Sequence, residues 1–395
     1  MEEGLLDEVV SHPMDATTAA AEGSAFDQRP AGAAAVTDAT DRGDAAALDD
    51  ERVQPDQISL ARRVRQPRTI ISIAVPLAIM GVFVYLNRED LGRVPGLVLQ
   101  ANFALIAVAF VIFYLGFPLR GYRWATLLRG TGVRISTRDS TEILFLSWLV
   151  NCVVPAKLGD VYRAYLLKIN STVSLSRTFG TVFIERVLDL FAIALLGLAA
   201  GFWSFRSGMP QPIQVVFLIG VVVVAGLALG LFTMRNIGRR LIVALPLPHR
   251  VLELYDRFEE GVFGAIGLRA LPRLVVVTGL IWATEALRLY FVVEAYGFDD
   301  VYLGLSGAVF VALIGSLLTA VPLSPAGLGI VEAGVVGVLT VAYGVPFAEA
   351  TAIALLDRVI SVFSIIALGS IAYMLSNKPR GEARVAEEVP VAGPA

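Results

Sequence analysis

The sequence predicts an all-α polytopic membrane bundle made of two inverted repeats, each containing a re-entrant helical hairpin. Three observations predict it. The chain is 56% hydrophobic with a mean hydropathy of +0.70, against about 45–50% apolar residues in a soluble domain. A pattern recurs in the same order. Pro155–Gly159 is followed 31 residues on, counting from the proline, by Glu185-Arg186-Val187, and Pro325–Gly329 is followed 33 residues on by Asp357-Arg358-Val359. Finally, the arginines fall into clusters that mark one side of a membrane.

The elements follow in chain order. Residues 1–60 carry 14 acids against three Arg and have little to bury, which predicts a disordered acidic tail. They lack a basic start and an apolar core, so they are not a signal peptide, and the first span must act as the targeting element. The transmembrane domain is expected over 61–376, with spans at 69–86 and 97–118. Residues 141–153 are apolar but too short to cross a core of about 30 Å, and they end at a tip formed by Pro155 and Gly159. With the mixed helix that runs to Lys168, they predict the first hairpin. Spans follow at 180–205, 213–233 and 274–297. Residues 304–321 run into a second tip at Pro325, Gly327 and Gly329, and 330–344 return from it, with a full crossing by 330–344 as the alternative. The last span is 351–375, and 377–395 form a short cytoplasmic tail.

The repeats are thus about 69–205 and 213–375, each a span, a span, a hairpin and a span. Three crossings is an odd number, so the second copy should sit upside down. Arginine placement gives the same topology. Arg62, Arg63, Arg65 and Arg68 precede the first span, and Arg120, Arg123, Arg129, Arg134 and Arg138 follow the second. Seven more arginines fill the loop 235–273, where His249 also lies, and all three clusters fall on one side. Both termini are then cytoplasmic in a plasma-membrane protein.

Several chemistries lack material. Cys152 is the only cysteine and His12 and His249 the only histidines, which leaves no thiolate cluster and little imidazole chemistry. No Walker sequence is present, and neither a metal nor a cofactor is expected. Nothing in the pattern points to nucleic acid.

The candidate site lies where charge and broken helix coincide. Non-helical backbone at membrane depth needs protein or a water-filled cavity around it, so the tips at Pro155, Gly159, Pro325, Gly327 and Gly329 predict such a cavity. Packing-only helix breaks are the alternative. Glu185, Arg186 and Asp189 sit a few residues into the third span, and Asp357 and Arg358 hold the matching place in the last. Snorkelling to the interface would also satisfy the arginines. Glu285 and Arg288 share a helix face near the middle of 274–297, and Glu332 follows the second tip. Lys157, Asp160 and Arg163 follow the first tip, where interfacial anchoring is an equal reading. Arginine suits a lipid phosphate because its planar fork makes two parallel bonds to an oxyanion. Nearby carboxylates would balance charge or carry protons.

Four motifs carry a family resemblance. They are Arg123-Trp124 with Leu128; Asn151, Pro155, Gly159-Asp160 and Arg163; Glu185-Arg186 with Asp189; and Pro325, Gly327, Gly329 and Glu332. Over about 70–375 they resemble the transmembrane region of lysylphosphatidylglycerol synthases, a flippase-like family that also occurs in archaeal glycosylation proteins. The resemblance implies movement of an anionic or aminoacylated phospholipid, or another lipid-linked headgroup, between leaflets. It would place function on Lys157, Asp160, Arg163, Glu185, Arg186, Glu332 and Arg358. Lys157, Asp160, Ala326 and Val331 depart from the commoner family wording. Little chain follows the last span, so no soluble aminoacyl-transfer domain and no lysyl-lipid synthesis are expected. Membrane lipids are the expected partners, with a separately encoded lipid-modifying enzyme or glycosyltransferase as a further one. The rival readings are a membrane transferase acting on polyprenyl-linked sugars, with Asp160 or Glu185 as base, and a non-catalytic partner of such an enzyme.

Overall fold

A computed structural model describes Arg88 and residues 92–376, apart from 155–157, 172, 207, 209–210, 245–248, 268, 299–300, 302 and 320–323. The expected acidic tail, the first span, Pro155, Lys157 and the tail 377–395 lie outside the described residues. Among those described, every regular element is helical.

A short helix α1 (Val94–Gln100) ends at Ala101, and Asn102 begins the long helix α2 (Phe103–Gly130) by accepting from the Ala104 N–H at 3.0 Å. This is an N-cap, which satisfies a donor that helix geometry leaves free. The break divides the span expected at 97–118, and α2 continues well beyond Pro118. That is the main correction to the sequence reading. Arg120 and Arg123 are not loop residues but lie inside α2, 5% and 1% exposed. Arg129, Arg134 and Arg138 are exposed.

Ser136 caps α3 (Thr137–Val153), its hydroxyl accepting from the Asp139 N–H at 3.0 Å. After the break comes α4 (Leu158–Asn170), packed back on α3. The Gly159 N–H donates to Asn151 Oδ1 at 2.8 Å. A Cβ at Gly159 would meet the Ser147 carbonyl and the Asn151 side chain, so only glycine lets the two helices close this tightly. The 30-residue helix α5 (Leu175–Ser204) follows.

The second half begins with α6 (Gln211–Thr233), whose stretch Ile213–Thr233 has a mean hydropathy of 2.9. Val215, Leu218, Val222, Leu229 and Phe232 are exposed along it, as lipid contact requires. The loop expected over 235–273 is largely helical: a π turn (Met234–Gly238), α7 (Arg239–Ala244) and α8 (His249–Ala265). His249 therefore begins a helix. α8 is a polar helix held by its apolar face, with Val262 fully buried against α5.

Helix α9 (Leu271–Tyr296) starts at Pro272 and ends at Gly297, whose φ of 58° supplies the left-handed cap. It runs along α2 in the most extensive helix contact of the molecule. Next come α10 (Gly304–Leu318), a 3-10 turn (Pro325–Gly327) and α11 (Ile330–Tyr343), and α10 packs against α11. The last segment is α12 (Phe347–Arg358), a π turn (Val359–Phe363) and α13 (Ser364–Leu375), which begins four residues before the expected 351. The helix order span, broken pair, long segment thus occurs twice. Among the described residues, five helices are long and apolar enough to cross a membrane, and Pro325–Tyr343 is one of them. This is a multi-pass membrane protein. Phe113, Phe117, Leu289, Val292, Leu339 and Ile353 lie at the centre of the largest apolar cluster, where α2, α9, α11 and α12 meet.

Candidate functional site

Two clusters of charge lie inside this bundle, each with three carboxylates and three arginines. α2 supplies one arginine to each, because Arg120 and Arg123 are three residues apart and share a face.

In the first cluster Arg123 grips Asp189 on α5 with both terminal nitrogens, Nη1 to Oδ1 at 2.6 Å and Nη2 to Oδ2 at 3.0 Å. Its Nη2 also lies 3.3 Å from Glu185, one turn earlier on α5. Glu185 in turn accepts from Arg163 of α4 at 3.1 and 3.2 Å. The Arg163 guanidinium is 4.8 Å from the Trp124 ring, so its faces are covered as well as its edge. Arg186 donates Nε and Nη2 to Asp160 at 3.0 and 2.7 Å. Trp282 Nε1 donates to Asp189 Oδ1 at 3.2 Å and Arg123 Nη1 donates to Thr278 at 3.1 Å, tying α9 to the same cluster. Arg163 is 1% exposed and is an internal pin, not an interfacial anchor.

The second cluster starts from α9. Glu285 accepts from Arg120 Nη2 and lies 3.2 Å from Arg288 Nη2. Arg288 Nη1 lies 3.1 Å from Asp357 Oδ1. The Arg120 guanidinium is 4.8 Å from the Trp148 ring and that of Arg288 is 5.2 Å from Phe113. Glu332 has two tasks. It accepts from the Gly329 N–H at 2.6 Å, closing the start of α11, and it pairs with Arg358 Nε at 2.9 Å. The turn before it is left-handed at Ala326 (φ 51°), Gly327 (71°) and Gly329 (86°), a path that favours glycine and strains the alanine.

A cavity of about 420 Å³ is lined by residues of both clusters. Its wall includes Arg120, Arg123, Arg186, Arg288 and Arg358. Asp160, Glu185, Asp189, Glu285 and Asp357 also face it. Asn151 borders it beside the first break, and Ala326 and Gly327 border it at the second. Gly159 and Gly329 instead shape the helix starts, and Arg163 and Glu332 stand behind the wall. The sequence-predicted residues within the described chain are therefore brought together, in two layers.

Arg120 and Arg123 were not among the sequence candidates. A signal existed: three-residue spacing on a segment that stays apolar through Trp124, Leu127 and Leu128. Removing a carboxylate or guanidinium from water is costly, and the pairing of each charge here is what makes the cluster tolerable inside a bundle. Each carboxylate of the clusters faces an arginine, so the arrangement suits an anion or zwitterion displacing a carboxylate, not a bare cation.

Comparison with known proteins identifies the chain's relatives. Residues 69–369 match the family model described as Lysylphosphatidylglycerol synthase TM region. A UPF0104 membrane protein of Methanocaldococcus jannaschii is 37% identical over 227 residues, covering 57% of this chain and 93% of that protein. A UPF0104 membrane protein of Methanothermobacter thermautotrophicus is 27% identical over 314 residues, 75% of this chain and 89% of the relative. The glycosyltransferase AglD of Haloferax volcanii is 29% identical over 354 residues, 81% of this chain but 56% of AglD, so the match spans little more than half of that protein.

Proposed function

This chain belongs to the lysylphosphatidylglycerol synthase transmembrane-region family, and from that premise we propose that it moves a lipid headgroup between leaflets. The observation that carries the reading is the cavity, which is bordered by charges of both clusters and by residues beside both helix breaks, inside a bundle whose outside is apolar. Its size fits a small ligand headgroup. A phospholipid crossing the bilayer needs a polar route for its head and none for its tails, and this architecture supplies that division.

In this reading the two halves are inverted repeats and the pairs α3–α4 and α10–α11 are re-entrant hairpins, one opening from each side. Both termini are cytoplasmic, in the plasma membrane. Alternating exposure of the two breaks carries an anionic or aminoacylated phospholipid, or another lipid-linked headgroup, past the arginines. Carboxylates hold those arginines when no substrate is present and release them to its phosphate. The rival reading, a transferase for polyprenyl-linked sugars or the partner of one, draws support only from the glycosyltransferase AglD, which this chain matches over part of its length.

The test is reconstitution in liposomes with fluorescently labelled lipids and external dithionite. Quenching well above the outer-leaflet half, lost in Arg186→Gln/Arg358→Gln, is the expected result. Quenching that stays at half for anionic, zwitterionic and polyprenyl lipids, with or without an imposed ion gradient, would overturn the proposal. Transfer of a labelled sugar from a lipid donor by the purified chain would favour the transferase instead.

A further inference from the structure

The two clusters match in charge but not in the state of their donors. In the first, Arg186 has Nε and Nη2 on Asp160, and its Nη1 lies 3.6 Å from Asp189. Arg123 has both terminal nitrogens on Asp189 and leaves only its Nε without a hydrogen-bond partner among the described residues. Arg163 also has free donor atoms, but it is stacked on Trp124 and does not reach the cavity wall.

The second cluster has more unpartnered donors among the residues that line the cavity. Arg120 Nη1, Arg288 Nε, Arg358 Nη2 and Ser361 Oγ are all buried without a hydrogen-bond partner among the described residues. All four residues line the cavity, and the three arginines are only 5%, 5% and 6% exposed. Buried donors of this kind are rare because each one left unmade costs free energy. Ser361 lies three residues after Arg358, inside the π turn Val359–Phe363, a local widening found often at functional sites.

We infer that the second cluster contains an oxyanion subsite in which Arg120, Arg288, Arg358 and Ser361 donate to a phosphate-class group, while the first cluster is a closed frame. The inference rests on the translocation reading for taking this cavity as the substrate's route. The surplus is in donors and not in charge, since three carboxylates oppose the three arginines. An anion that spreads its charge over several oxygens therefore fits better than a compact halide. Both a lipid phosphodiester and free phosphate have that chemistry. Arg120 and Ser361 become binding residues, and Arg186 becomes a positioning residue for the first break through Asp160.

The experiment is calorimetric titration of the purified full-length chain with inorganic phosphate and, separately, with short-chain phosphatidylglycerol. The variants are Ser361→Ala, which removes one hydroxyl at little risk to folding, Arg358→Lys, which keeps the charge, and Arg177→Ala, which removes an arginine outside both clusters. Ser361→Ala and Arg358→Lys should each weaken binding roughly tenfold, as expected for losing a hydrogen bond to a charged group. Arg177→Ala should change affinity by less than about twofold. Binding of both probes with this dependence assigns the subsite to phosphate as such. Binding of the lipid alone assigns it to a lipid headgroup. Wild-type binding of neither probe, binding indifferent to Ser361 and Arg358, or an equal loss in Arg177→Ala would overturn the inference. Translocation that persists while binding ignores Ser361 and Arg358 removes the subsite and leaves the translocation reading standing. Ser361-dependent binding in a chain that moves no lipid does the reverse.

Discussion

The clusters around Arg123 and Arg288 contain the same charges but are built to different ends. Around Arg123, bidentate contacts, a tryptophan face and the Thr278 hydroxyl hold the wall, and of its cavity-lining arginines only Arg123 Nε is left without a hydrogen-bond partner among the described residues. Around Arg288, pairing is mostly single-point, and four residues with an unpartnered donor line a cavity next to a left-handed turn. The difference teaches that a repeated charge pattern does not imply a repeated role. One copy can hold the bundle together while the other stays available to a ligand. α2 makes this division possible, since its two buried arginines turn to different partners.

The largest expected effect breaks the closed copy. Arg123→Gln leaves Asp189 and Glu185 buried beside fewer positive charges, and removing one partner of a buried pair costs about 3–5 kcal/mol. Thermal unfolding of the detergent-purified protein should show a large fall in Tm and in recovered protein. A loss below about 1 kcal/mol would mean that the first cluster is not the frame described here.

In the open copy, activity should fall more than stability. Arg358→Gln takes the cation from buried Glu332 but leaves it capping Gly329, so the stability loss should be about 3 kcal/mol, the low end for a broken buried pair. Lipid translocation should drop by roughly tenfold or more, as for a lost bond to a charged headgroup. If translocation per folded molecule stayed at the wild-type level, Arg358 would be as structural as Arg123 and the contrast would collapse.

Much of this was readable from the chain. The spans near 213–233, 274–297 and 351–375, the second break and the acids of α5, α9 and α12 follow from composition, spacing and the cost of charge in hydrocarbon. Arg120 and Arg123 were missed because Pro118, followed by five arginines within about twenty residues, reads as a span ending in a basic loop. A proline inside α2 is accommodated, so the helix runs on and the arginines go inside. Helix α8 was missed for a related reason. Its sequence is mostly polar, and what fixes it is a contact far away in the chain, Gly261 against Gly180 on α5. Pair identities such as Arg163 with Glu185 or Arg288 with Asp357 depend on helices crossing, and single-sequence spacing carries no such information.

The tightness of the α3–α4 pair separates the halves again. Gly159→Ala places a methyl against the Ser147 carbonyl and the Asn151 side chain, and overpacking of this kind typically costs about 1–3 kcal/mol. At the second break a Cβ on Gly329 meets nothing within 4 Å, but its φ of 86° disfavours any side chain. Differential unfolding of Gly159→Ala and Gly329→Ala should show whether each break is held by packing or by backbone conformation. The nearest atom to a Gly159 Cβ is a backbone carbonyl, which Ser147→Gly would not remove, so the Gly159→Ala loss should exceed that of Gly329→Ala.

The smallest effect concerns an ion pair outside both clusters. Arg177 of α5 lies 2.9 Å from Glu260 of α8, with side chains 34% and 54% exposed. Solvent screens such a pair, and exposed pairs contribute about 0.2–1 kcal/mol. What holds α8 to α5 is its buried apolar face and a close backbone approach. A Cβ on Gly261 would meet the Arg177 carbonyl and, at 3.0 Å, the Gly180 Cα. Arg177→Ala should therefore shift the unfolding midpoint little, and added salt should shift the wild type equally little. Gly261→Ala should destabilise more than Arg177→Ala despite adding only a methyl group. The reverse order would make charge, not close packing, the attachment of this helix, and the buried clusters would then differ from the surface pair in degree and not in kind.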